Sequence, residues 1–299
     1  MADKRLPNLF ILGAAKAGTT TLYDTLKKYH QAYFPVQKEP AFFCDDDYYQ
    51  NGIEWYLSTF YSKAGNFQVR GDATPRYLFW GEKVIPRLKL LYDQDQPKMI
   101  VIFRDPAKLI YSYYWQNVRE GRETLGFSEA LAAEKDRDQK FAEQIYYHGK
   151  FTYSYSRLAA YASQLKTYLD NFPKQNFLFL LTDDFTDFQK LTRTLEQFLN
   201  LDHMEWKKPV TSNLARLPRN RAIHKWLVQR SKFKDLLKPI IGYSLRHKIK
   251  QAAINMNLKP LDPPVPDPAI MLMLRKHYQH EVQQLEEMIE RDLSSWYPK

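Results

Sequence analysis

The chain has 299 residues, of which 44% are hydrophobic and 15% are aromatic, and this composition excludes an intrinsically disordered protein. Cys44 is the only cysteine, so an intrachain disulfide and a zinc site built from cysteines are both excluded. The wholly apolar runs are far too short to span a bilayer, and the first residues lack the apolar region of a signal peptide. We therefore expect a cytoplasmic protein.

The formal net charge of +10 is concentrated in one segment. Between Lys207 and Lys250 there are 13 Lys and Arg residues and a single acid, Asp235. A regional charge of this kind indicates a local anionic partner. Apolar residues spaced three and four apart within the segment leave three interpretations. It forms a helix at the anionic inner membrane surface, or a positive wall facing an acidic glycan, or a packed helix whose charges are only solvated.

Strands and helices alternate through about the first 200 residues. The predicted strands are Asn8–Leu12, Phe67–Gly71, Lys98–Phe103 and Phe177–Leu181. The predicted helices cover about Thr19–Tyr29, a segment that starts at Pro106, Tyr155–Asn171, Phe185–Leu199 and finally Ile270–Leu293. This alternation predicts an α/β fold of three layers, in which helices flank a central, mostly parallel sheet.

We expect a single domain over residues 1–299, because no part of the chain reads as an independent unit. Within it, residues 207–268 form a basic helical insertion and a Pro-rich connector. The connector, Leu258–Pro268, cannot be the interior of a helix because of its prolines.

A glycine-bounded loop follows the first strand and opens the first helix. Free backbone N–H groups and the positive end of the helix dipole attract anions at such a point. The candidate contacts are Gly13, Lys16, Ala17, Gly18, Thr19 and Thr20. A Walker loop would place a lysine directly after Gly18, whereas here the lysine lies inside the loop. The pattern therefore favours phosphate binding without the usual magnesium ligand, although an ordinary strand-to-helix turn remains the alternative.

A second anion site is predicted after the strand Lys98–Phe103. Arg104 lies at the carboxyl end of this strand, where ligands bind in open α/β sheets, and its guanidinium suits a phosphate. Ser112, on the helix that follows, can donate a hydroxyl to the same group. Two anion sites after two strands indicate a nucleotide with phosphates at both ends.

Taken in order, these motifs resemble the sulfotransferases that use 3′-phosphoadenosine-5′-phosphosulfate (PAPS). The resemblance is greatest to the heparan sulfate branch, its N-deacetylase/N-sulfotransferases and 3-O-sulfotransferases, and to their bacterial relatives. The similar stretches are Gly13–Leu26, Lys38–Phe43, Gly52–Tyr56, Gly71–Tyr77, Phe103–Tyr114, Tyr161–Leu165 and Leu293–Trp296.

The resemblance implies a P-loop-like fold and sulfuryl transfer to an acceptor hydroxyl of a carbohydrate, glycolipid or small metabolite. Lys16 and its loop would hold the 5′-phosphosulfate, and Arg104 with Ser112 the 3′-phosphate. Arg219 and Arg221 would close over the nucleotide. The product would be adenosine 3′,5′-bisphosphate (PAP), with no metal required and no nucleic acid as partner.

The resemblance also implies the catalytic groups. Asp72, before Thr74 and Pro75, corresponds to a glutamate that acts as base in the family, and we expect the same role here. The alternative interpretation is that Asp72 only caps or stabilises a turn. Lys38 and Glu39 correspond to a Lys-Glu pair beside the acceptor, and their alternative is a solvated ion pair.

Two other classes of function stay open from the residues alone. A P-loop kinase would share the strand, loop and helix but would need magnesium. A basic protein that binds membranes or nucleic acids would use residues 207–250 and retain the loops as vestiges.

Overall fold

A five-stranded parallel sheet lies at the centre of the chain in this computed structural model. Its strands are β1 (Leu9–Gly13), β2 (Ala32–Tyr33), β3 (Val69–Ala73), β4 (Lys98–Phe103) and β5 (Phe177–Leu181), in the spatial order β2-β3-β1-β4-β5. The structure describes residues 3–92, 96–141, 149–203, 216–218, 256, 258–260 and 263–299.

The sheet is covered on both faces. Every residue of β1 is buried, and in β4 only Lys98 is partly exposed. Because successive side chains of a strand point to opposite faces, such continuous burial requires packing on each side. The predicted three-layer α/β fold is confirmed.

Helices connect the strands and form the outer layers. They are α1 (Thr19–Leu26), α2 (Asp46–Tyr49), α3 (Gly52–Phe60), α4 (Arg76–Phe79), α5 (Gly81–Lys89), α6 (Pro106–Arg119), α7 (Phe127–Ala132), α8 (Glu134–Phe141), α9 (Gly149–Tyr153), α10 (Tyr155–Ala159), α11 (Tyr161–Leu169), α12 (Phe188–Leu199) and α13 (Pro268–Ile289). Within the described ranges, none of them has both the length and the apolar character that a bilayer crossing requires.

The strand order brings the functional loops to one edge. From β1 the chain adds β2 and β3 on one side of the sheet and then β4 and β5 on the other. The order therefore reverses at β1, and in open α/β sheets ligands bind at such a reversal, outside the carboxyl ends of the strands.

Most predicted elements are present, with shifted ends. The strand predicted at Phe67–Gly71 is β3, two residues later, which places Asp72 inside a strand rather than in the turn after it. The helix predicted over Tyr155–Asn171 is interrupted at Ala160, whose ψ of 67° is not helical. The helix predicted from Phe185 starts at Phe188, after a 3₁₀ segment, Thr182–Thr186.

A separate two-stranded antiparallel sheet lies within the basic insertion. It pairs β6 (Arg216–Pro218) with β7 (Leu258–Pro260), so the start of the Pro-rich connector is extended. Most of residues 207–250, including Arg219 and Arg221, lies outside the described residues. The assignment of the whole chain to one domain stays a prediction.

Substitution of Gly71 by alanine should destabilise the fold. A Cβ on Gly71 would lie 2.1 Å from two ring atoms of Phe34, and overpacking of this kind costs about 1–3 kcal/mol of unfolding free energy. Gly65→Ala is the control, because no heavy atom lies within 4 Å of its added Cβ. Urea denaturation measures both, and equal unfolding free energies for the two variants would contradict the packing of β3 against Phe34.

Candidate active site

The loop between β1 and α1 forms a turn with two left-handed residues. Gly18 caps α1 with a φ of 114°, which glycine adopts without a steric penalty. Lys16 has a φ of 67°, uncommon for a residue with a side chain. The first N–H groups of a helix have no partner within it, so those at Thr19 and Thr20 suit an anion.

The ends of three neighbouring strands meet at this loop. Arg104, directly after β4, donates from Nη1 to the carbonyl oxygen of Lys16 at 2.9 Å. Thr182, directly after β5, has its Oγ1 3.0 Å from the carbonyl oxygen of Ala17 and 3.2 Å from that of Phe103. The two residues predicted to bind opposite ends of a nucleotide, Lys16 and Arg104, therefore lie in direct contact.

The side chain of Lys16 is partly buried and lies among other cations. Burial is the main cause that lowers its pKa to about 8, and the charge of Arg119 at the end of α6 lowers it further. Arg104 and Lys38 act in the same direction, while Glu120 opposes them. Several cations thus act on the Lys16 ammonium, and an anion bound beside it would offset their repulsion.

A pair of charged side chains faces the same loop from the segment after β2. Lys38 donates from Nζ to Oγ1 of Thr20 at 3.1 Å and pairs with Glu39 Oε1 at the same distance. Arg76, at the start of α4, lies 4.0 Å from the other oxygen of Glu39. The Glu39 side chain is 37% exposed, so its carboxylate is accessible at the rim of the loop.

Asp72 occupies a different environment. It is completely buried, and its carboxylate accepts hydrogen bonds from the hydroxyls of Thr74 (2.6 Å), Tyr56 (2.7 Å) and Tyr77 (2.8 Å). Burial raises the pKa of Asp72 to about 6, although the three hydroxyls oppose this shift. The structure gives this carboxylate no exposed surface.

A cavity of about 120 Å³ opens beside Arg104. The residues that line it are Arg104, Asp105, Lys108, Thr182, Asp183 and Trp296. Asp105 caps α6 and pairs with Arg275 of α13 at 2.7 Å, so the C-terminal helix braces this wall. One aromatic ring, two cations, two carboxylates and one hydroxyl thus surround a small cavity, a mixture that suits a polar ligand with a flat ring.

The remaining predicted residues lie on the same elements. Gly13 is the last residue of β1, and Ala17 is buried inside the loop. Ser112 is half-buried on α6, the helix that Arg104 leads into. The positions of Arg219 and Arg221 fall outside the described residues.

Residues 6–235 match the sulfotransferase domain family, over more than half of the chain. The chain belongs to this family. Its fold is similar to that of a sulfotransferase from Alicyclobacillus acidocaldarius, with a TM-score of 0.68, 26% identity, and coverage of 97% of this chain and 98% of the other.

Two curated relatives show the range of the sulfotransferases that the chain resembles. A membrane-associated sulfotransferase of Dictyostelium discoideum is 37% identical over 36% of this chain and 22% of its own length. Heparan sulfate glucosamine 3-O-sulfotransferase 5 of mouse is 28% identical over 66% of this chain and 54% of its own length. The chain therefore spans about half or less of the length of these relatives.

Two residues beside the loop did not emerge from the sequence. Thr182 is an isolated polar residue without a motif, and Arg119 is one of many basic residues. Only the fold brings them to the loop, and it places Trp296, from the similar stretch Leu293–Trp296, at the cavity beside Arg104. Among the described residues, no three His, Cys, Asp or Glu side chains form a group suited to a metal ion.

Proposed function

We propose that this sulfotransferase moves a sulfuryl group from PAPS to a hydroxyl of a carbohydrate acceptor. The observation that carries the proposal is the hydrogen bond between Arg104 and the Lys16 carbonyl. It joins the anion sites after β1 and β4 into one binding surface, as a nucleotide with phosphates at both ends requires. Family membership supports sulfuryl transfer over the kinase and the surface-binding alternatives.

In the proposed complex, the loop and Arg104 bind the two ends of PAPS. The N–H groups of α1 and the ammonium of Lys16 hold the 5′-phosphosulfate. Arg104 and the hydroxyl of Ser112 hold the 3′-phosphate, and Arg219 and Arg221 remain candidates for the same end. The cavity beside Arg104 supports a site for the adenosine between these anchors.

The proposed reaction is an in-line displacement at sulfur. The acceptor oxygen forms a bond to sulfur while the bond between sulfur and the bridging oxygen of the 5′-phosphate breaks. By analogy with phosphoryl transfer, positioning and charge stabilisation supply most of the catalysis. Lys16 offsets the negative charge that develops on the departing phosphate, and a base accepts the proton of the hydroxyl.

We assign the base to Glu39 rather than to Asp72. A base must come within hydrogen-bonding distance of the hydroxyl that it deprotonates. Glu39 is exposed at the rim of the loop, next to Lys38 and thus to Thr20. Asp72 has no exposed surface and already binds three hydroxyl groups, which is the physical reason to abandon its sequence-based assignment as base.

The charges around the loop support a polar acceptor. Lys38, Arg76 and Arg119 contribute positive charge close to Glu39 and Lys16. Such a surface complements a glycan that carries sulfate or carboxylate groups. The names of several relatives specify heparan sulfate glucosamine, and we therefore propose a carbohydrate before a lipid or small metabolite.

PAP should stabilise the protein in a melting experiment, and ATP should do so little. A ligand at 100 times its dissociation constant adds about 2.7 kcal/mol of unfolding free energy. Lys16→Ala and Arg104→Ala should lose most of this effect because each removes a phosphate contact. Lys166→Ala, an exposed lysine on α11, is the control and should keep it. An undiminished rise in both site variants would contradict the proposed nucleotide site.

The affinity for PAP should fall as the pH rises through the pKa of Lys16. The free ammonium has a pKa of about 8, and a bound anion raises it, so binding requires proton uptake above pH 8. We expect a loss of affinity on the order of tenfold between pH 7.5 and 9.5. In Lys16→Arg the charge persists and the curve should be flat. Titration calorimetry measures both, and parallel curves would exclude Lys16 as the titrating group.

Glu39→Gln should lower turnover strongly without weakening nucleotide binding. Loss of a general base lowers kcat by about 10²- to 10⁴-fold. The assay follows PAP release from PAPS with a heparan sulfate oligosaccharide, a glucosyl lipid and a phenol as acceptors. Glu54→Gln, on the exposed face of α3, is the control. Full turnover by Glu39→Gln with every acceptor would remove Glu39 from the base role.

A further inference from the structure

The hydroxyl groups around Asp72 lead to the segment that carries Glu39. The Thr74 oxygen accepts a hydrogen bond from the backbone N–H of Ala41 at 3.3 Å, and the Tyr77 oxygen accepts one from the N–H of Phe43 at 3.4 Å. Each hydroxyl donates its own proton to Asp72. Two relays of the form N–H to hydroxyl to carboxylate therefore connect Asp72 to residues 41 and 43.

The direction of both relays depends on the ionised carboxylate. A carboxylate can only accept, so the single proton of each hydroxyl points to Asp72 and its lone pairs remain for the amides. An asparagine in this position would present two N–H donors and would reverse at least one hydroxyl. Hydrogen bonds arranged in a chain also strengthen one another in a buried environment.

The segment held by these relays has an unfavourable backbone. Glu39 has a φ of 62° and Ala41 a φ of 60°, both in the left-handed region. This conformation is unfavourable for a residue with a side chain, and it persists only where the surroundings enforce it. The relays bind the amides of Ala41 and Phe43, a short distance along the chain from Glu39, and are placed to supply such a constraint.

A buried charge is costly, and the two relays offer a reason why the core contains one at Asp72. All four residues of the network, Asp72, Thr74, Tyr77 and Tyr56, are fully buried. Burial disfavours the ionised carboxylate and raises the pKa of Asp72 to about 6, so the charge at neutral pH is costly to the fold. Apolar side chains often fill a core as stably as a buried ionic group.

We propose that Asp72 is a positioning residue, which fixes the Glu39 segment at the mouth of the phosphate loop through Thr74 and Tyr77. The catalytic part of this inference rests on the proposed role of Glu39 as base. Asp72 itself touches neither substrate in this scheme. It acts by holding the backbone on which the base is mounted.

Tyr56 provides a matched control within the same network. Its hydroxyl donates to the same Asp72 oxygen as that of Tyr77 and is equally buried, but it leads to Tyr61 rather than to the Glu39 segment. Its ring stacks on Phe42 at a centroid distance of 4.5 Å, and a phenylalanine keeps this contact. Tyr56→Phe and Tyr77→Phe therefore remove the same chemical group, and only the second breaks a relay.

Hydrogen exchange tests the structural part without reference to activity. Thr74→Val and Tyr77→Phe should accelerate amide exchange in peptides that cover residues 38–44 by at least about tenfold, whereas Tyr56→Phe should leave it within about twofold of the wild type. Melting temperatures of all three variants show that each is folded. The same exchange in Tyr56→Phe and Tyr77→Phe would overturn the proposal.

Kinetics test the catalytic part. Thr74→Val and Tyr77→Phe should lower kcat on the order of tenfold with KM for PAPS within twofold, and Tyr56→Phe should keep the wild-type kcat. In a Glu39→Gln background, Tyr77→Phe should cause no further loss, because it acts through Glu39. Additive losses, or equal kcat values for both tyrosine variants, would overturn the positioning role. A wild type that fails to bind PAP contradicts the proposed function instead, and the exchange result still decides whether Asp72 holds the segment.

Discussion

The contact between the Arg104 guanidinium and the Lys16 carbonyl is the interaction on which the site depends. It links the loop after β1 to the end of β4 and fixes the turn in which Lys16 has its left-handed backbone. A parallel sheet brings these points together because its strands all end at one edge. In the proposed complex, this contact joins the two loops into one surface for both ends of a nucleotide.

Cations and left-handed backbone conformations lie together at the site, and both have a free-energy cost that the rest of the fold offsets. Lys16 is partly buried near other cations, which lowers its pKa, while Glu39 and Ala41 adopt conformations that are costly for residues with side chains. The sheet is packed on both faces, and we propose that the Asp72 network holds this arrangement in place. Strain of this type is typical of sites whose geometry matters more than local stability.

The sheet, its helices and the loop with Lys16 were predictable because apolar runs and glycine spacing are local signals. Arg104 was predictable for the same reason, since it follows a clear strand. The role of Asp72 was not: its environment is set by Tyr56 and Tyr77, which approach through tertiary packing that no local pattern encodes. The family resemblance pointed to Asp72 as the base. Because Asp72 is completely buried and Glu39 is exposed, we propose Glu39 for this role instead. The assignments of the nucleotide contacts remain predictions.

The Thr182 hydroxyl, which is shared between two carbonyl oxygens, affects the entropy change of ligand binding. This residue joins the carbonyls of Ala17 and Phe103, so the end of β5 is tied to the loop after β1 and to the end of β4. The conformational entropy of bringing these chain segments together is then lost during folding rather than during association. Less of this entropy then opposes the association of a ligand at this edge of the sheet.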